Sequence, residues 1–72
     1  DIFTQVYFGK LTNICEYFEN WTEENILSLM ASKDEKGNTP FDIACYLGYK
    51  NIVLYFLKCG VDPTTLDLNE RN

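Results

Sequence analysis

The chain carries three thiols, Cys15, Cys45 and Cys59, and no histidine. Without histidine it lacks the commonest general base, proton shuttle and metal ligand. A cysteine nucleophile needs a basic partner or an electropositive pocket to hold it as thiolate. Cys45 follows Ala44 on an apolar stretch, and Cys59 precedes a glycine. An odd number of cysteines without C-x-x-C spacing fits neither a disulfide framework nor a zinc set. The three are therefore expected to be buried free thiols in a reducing compartment. The acid pairs Glu23-Glu24 and Asp34-Glu35 are no better as paired carboxylates, because adjacent residues on a helix point apart. They read as first-turn charge and as a hairpin tip. Asn20-Trp21-Thr22 is a formal glycosylation sequon, which is silent in an intracellular chain. These residues predict no catalytic set, no metal and no cofactor.

The elements that would position side chains follow from glycine, proline and capping signals. Thr39 and Pro40 open a helix, since threonine caps well and proline is tolerated at the first helical position. Phe41, Ala44 and Cys45 fall at helical spacing, and Gly48 ends that helix. A second helix is expected from Asn51, with Ile52, Val53, Phe56 and Leu57 as its apolar stripe and Gly60 as a left-handed cap. Taken alone, 52–57 is strand-prone. The surrounding glycine-capped unit favours a helix, because Asp34–Thr39 has a faint copy at Asp67–Asn72, 33 positions on. Upstream, Leu11, Ile14 and Phe18 make a helical stripe. Thr22 can cap a further short helix over Glu23–Met30, with Trp21 and Ile26 at staple spacing.

The unit at 34–63 resembles an ankyrin repeat. It reads Asp34-x-x-Gly37-x-Thr39-Pro40-Phe41-Asp42-x-Ala44, then Gly48-Tyr49, Ile52-Val53, Phe56-Leu57 and Gly60-Val61-Asp62. The family repeats every 33 residues or so with a T-P-L-H-x-A signature. The resemblance implies an all-α fold, a helix-turn-helix solenoid fragment with short hairpin loops. Residues 1–33 would form a divergent or capping repeat with an extra short helix, 34–66 a full repeat, and 67–72 the start of another hairpin. Gly9 lies 39 positions before Gly48, six more than the period, and the surplus falls in 20–33. Asp42 stands where the family has histidine, so the tether between hairpin and helix is altered: an ionised carboxylate accepts hydrogen bonds and donates none. In the third hairpin, Glu70 replaces the glycine of the tip.

In this family hairpin tips and first helices line a concave groove that holds partner proteins. The matching positions here are Glu35, Lys36, Asn38 and Tyr46, with Leu68, Asn69 and Arg71 on the following tip. The function expected is an intracellular protein-interaction module, in cytoplasm or nucleus, acting as adaptor or scaffold. A spacer or cap in a larger assembly, or an accessory region of an enzyme or channel, are the alternatives. The net charge is −5, with no basic stripe for nucleic acid. The longest apolar run, Ile52–Leu57, is too short to cross a bilayer. Asp1-Ile2-Phe3 is not the start of a secretory leader. Seventy-two residues bury only about 60% of their unfolded surface, so self-association or a neighbouring repeat is expected to support the fold.

Overall fold

The computed structural model describes residues 1–63 of the chain. They form five helices in the order α1 (Ile2–Phe8), α2 (Leu11–Tyr17), α3 (Glu23–Met30), α4 (Pro40–Leu47) and α5 (Lys50–Lys58). There is no strand among the described residues. The third-hairpin positions Leu68, Asn69, Glu70 and Arg71 lie outside them.

The best-formed element is α4. Its first turn is closed by a reciprocal capping box. The backbone N–H of Asp42 donates to Thr39 Oγ1 at 3.1 Å, and the N–H of Thr39 donates to Asp42 Oδ2 at 3.1 Å. Two amides that the helix cannot satisfy internally are thus paired. Asp42 ties the entry of α4 by accepting the bond from Thr39. Gly48 turns the chain out of α4 at φ +78°, where a Cβ would be strained. The helix α5 begins one residue earlier than expected, at Lys50, with Tyr49 as its N-cap. At its other end the N–H of Val61 donates to Phe56 C=O (3.1 Å) and that of Gly60 to Leu57 C=O (3.0 Å). This is the Schellman pattern. The strand-prone run 52–57 is therefore helical, its Ile52 and Phe56 fully buried four positions apart on one face.

The first pair is built more loosely. Helix α1, which the sequence reading does not anticipate, is capped by Asp1, whose carboxylate accepts from the N–H of Thr4 at 2.9 Å, and it ends at Gly9 with φ +73°. Helix α2 has no side-chain cap, and Phe18 rather than glycine ends it. Thr22 caps α3 over the expected span, with Glu23 and Glu24 in the first turn. Trp21 is 41% exposed and lies against Tyr17 and Phe18, with ring centroids 5.7 Å and 5.3 Å away.

The two pairs stack side by side: α1 packs on α4, and α2 on α5. Their shared core contains Ile2, Val6, Ile14, Phe18, Phe41, Ala44, Ile52 and Phe56, and Ile26 and Met30 bring α3 into it. The pairs correspond internally. Asp1 and Thr39, which cap α1 and α4, are 38 positions apart, as are the buried Ile14 and Ile52 and the buried Phe18 and Phe56. The closing glycines are 39 apart, because α4 is one residue longer than α1.

Candidate interaction groove

The hairpin between α3 and α4 is organised by one carboxylate. Asp34 Oδ1 accepts from the backbone N–H of Lys36 (2.9 Å) and of Asn38 (2.8 Å). The N–H of Asp34 donates to Asn38 C=O (2.9 Å) and that of Gly37 to Asp34 C=O (3.0 Å). Gly37 takes φ +84° at the tip, which a side chain there would oppose. The Asn38 amide bond holds the Asp34 carboxyl below its ordinary range against the upward push of desolvation, and the Lys36 amide adds to the lowering.

This turn places Lys36 and Asn38 beside the end of α4. They line a cavity of about 300 Å³ together with Tyr7, Asp42, Ile43, Tyr46 and Leu47. Tyr46 is 82% exposed in the last turn of α4. Three of the expected partner-contact residues, Lys36, Asn38 and Tyr46, thus converge on one hollow. Glu35 is exposed on the tip and does not line it. Leu68, Asn69 and Arg71 lie outside the described residues.

Four of the lining residues are not among the expected contact residues: the buried Asp42 and Ile43 of α4, and two that are exposed. Tyr7 comes from α1, and Leu47, 38% exposed, from the last turn of α4. Tyr7 is brought there by the packing of α1 on α4, which no local pattern encodes. The junction is fixed by Tyr49, whose ring lies on Gly9: a Cβ built on Gly9 would come within 2.8 Å of Tyr49 Cζ. The Tyr49 hydroxyl donates to the Tyr7 carbonyl at 3.4 Å, a long and weak bond.

The thiols correct one expectation. Cys45 and Cys59 are half-buried, but Cys15 is exposed on α2. Phe18 and Ile14 fill the core side of that helix and turn Cys15 away from it. Burial, and then the negative charge of Asp42, push the Cys45 thiol up. Burial chiefly does the same for Cys59, with the Tyr55 hydroxyl bond opposing it. Both remain protonated near neutral pH, the form that is a poor nucleophile. Tyr55 is pushed up to about 12 by burial first and then by the neighbouring Cys59 and Cys15. Among the described residues no group of three Cys, Asp or Glu side chains could hold a metal ion. No helix among them is long and apolar enough to cross a membrane.

Comparison with known protein families, with curated proteins and with solved structures finds no match.

Proposed function

We propose that this chain is an ankyrin-type solenoid fragment that serves as a protein-interaction module. A partner protein would sit against the hairpin tip and the exposed end of α4. The observation that carries the reading is the hollow where Lys36, Asn38 and Tyr46 meet Tyr7 and Leu47. It combines an exposed aromatic on a capped helix, a positive charge on the hairpin tip and apolar side chains. Interfaces use such anchors: aromatic side chains bring large contact area at low entropy cost. The stacked pairs support the reading too, since each buries its apolar side on its neighbour and leaves the tips free to vary.

The test is a binding comparison in the cell type of origin. Proximity labelling with the protein as it exists in that cell identifies partners. The same experiment with Tyr46→Ala and Lys36→Glu is expected to lose a defined subset of them, while circular dichroism of both variants stays unchanged. Labelling that is the same for all three proteins would reject the groove as the contact surface and favour a spacer role.

A further inference from the structure

Cys15 and Cys59 are 44 positions apart in the chain, yet the fold brings both thiols to one side chain. Helix α2, which carries Cys15, packs on α5, whose C-cap is Cys59. Tyr55 stands one turn before Cys59, and the N–H of Cys59 donates to the Tyr55 carbonyl at 3.0 Å. Leu11 stands one turn before Cys15 and lines the same open groove as Tyr55. The rows Leu11–Cys15 and Tyr55–Cys59 therefore border the seam between the two helices. At that seam the Tyr55 hydroxyl is in hydrogen-bond contact with both sulfurs, and the two thiols act on one another. Cys45, on α4, is acted on by Asp42 and by no thiol.

The two thiols differ in access. Cys15 is exposed and Cys59 half-buried, so a dissolved reagent reaches Cys15 first. Cys59 is kept protonated chiefly by burial, which makes it slow toward anything in solution. Toward a sulfur already held at Cys15 it has the advantage of proximity. The Tyr55 hydroxyl donates to its sulfur and favours the thiolate at that moment.

We propose that Cys15 and Cys59 form a reversible disulfide when the protein meets a small disulfide of the glutathione type. The Cys15 thiolate attacks one sulfur of the reagent. A mixed disulfide forms, and one small thiolate leaves and takes up the proton that Cys15 lost. Cys59 then gives up its proton, attacks Cys15 Sγ and displaces the second small thiol. Two protein thiols are oxidised and one small disulfide is reduced to two thiols. Such a bond needs Cα atoms about 4.4–6.8 Å apart, whereas the axes of packed helices lie about 8–10 Å apart. Cys59 can supply the difference, because α5 ends there and Gly60 turns the chain away at φ +105°. The Tyr55 ring has room to leave the sulfurs, since it lines an open groove of about 600 Å³. Tyr55 is a positioning residue in this scheme, and the product is a strap that ties the first pair to the second. It does not depend on the reading of the hairpin tip.

Mass spectrometry of the folded protein, equilibrated in buffers of graded oxidised and reduced glutathione, tests this. The expected product has lost two hydrogen atoms, is linked through Cys15 and Cys59, and leaves Cys45 free. The link should form in the folded protein with at least about tenfold less oxidised glutathione than in urea, because folding holds the thiols together. Cys59→Ser should stop at a glutathione adduct on Cys15, with an unchanged helical spectrum. Tyr55→Phe should form that adduct at the wild-type rate but close the disulfide roughly tenfold more slowly, a split that a structural defect alone does not give. A wild-type protein that yields only the Cys15 adduct, or that links Cys15 to Cys45, would overturn the proposal. So would a link that forms as readily in urea as in the folded state.

Discussion

The two helical pairs of this molecule have the same plan and differ in how each is held. In α4 five consecutive residues from Pro40 to Ala44 are buried, whereas α1 buries only Ile2 and Val6. The second pair has a capping box at its start, a left-handed glycine at its corner and a Schellman closure at its end. The first has a single aspartate cap and a left-handed glycine, then an uncapped helix stopped by phenylalanine. Short helices are marginal by themselves, so a pair with few local signals must draw its order from its neighbour. The difference teaches that the second pair is a template, and the first takes its shape by packing on it.

The harshest way to break that relation is at the template's centre. Phe56 is fully buried, with its ring centroid 6.5 Å from that of Phe41. Phe56→Ala is expected to cost about 3–5 kcal/mol and to unfold both pairs together in urea. If α1 and α2 persisted in the variant, the dependence of the first pair would be disproved.

The corner glycines sharpen the comparison, since they hold equivalent places. Both have positive φ, but a Cβ on Gly48 meets nothing within 4 Å, whereas one on Gly9 collides with Tyr49. Gly48→Ala is expected to cost about 1–2 kcal/mol from backbone strain alone. Gly9→Ala should cost clearly more, because the Tyr49 ring must move as well. Chemical denaturation of the two variants gives the order directly, and equal losses would show that Tyr49 does not lock the pairs together. Thr39→Ala, which removes half of the capping box, should cost about 1 kcal/mol.

Smaller still is the effect of acid on the hairpin tip. Asp34 is held below its ordinary pKa by the amides it accepts. A carboxyl lowered in the folded state stabilises fully above its unfolded value, and the contribution fades as pH falls through the folded one. The turn at 34–38 should therefore loosen only in acid, at pH values below the usual carboxylate range. Amide exchange at Lys36 and Asn38 reports it, and protection that persists unchanged through that titration would contradict the assignment.

Much of the second pair was legible because its signals are local. Thr39-Pro40, Gly48 and Gly60 mark ends by cap chemistry and backbone conformation, and Thr22 with Glu23 and Glu24 marks α3 in the same way. Helix α1 was not legible: Ile2, Phe3, Val6, Tyr7 and Phe8 are strand-prone types, and the helix is recognisable only from Asp1 and Gly9 at its ends. The groove was half legible. Lys36, Asn38 and Tyr46 follow from the resemblance, but Tyr7 enters through the contact of α1 with α4, which is set by the register between pairs. The exposure of Cys15 was missed for a related reason. Cysteine is most often buried, and only the orientation fixed by Ile14 and Phe18 shows that this one is not.

Native-state hydrogen exchange, resolved residue by residue, tests the template relation most directly. The account predicts that amides of α4 and α5, above all those around Ile52 and Phe56, are the slowest to exchange. Those of α1 and α2 should exchange faster, through a partial opening that leaves the second pair folded. Protection of α1 and α2 equal to or greater than that of α4 and α5 would contradict it.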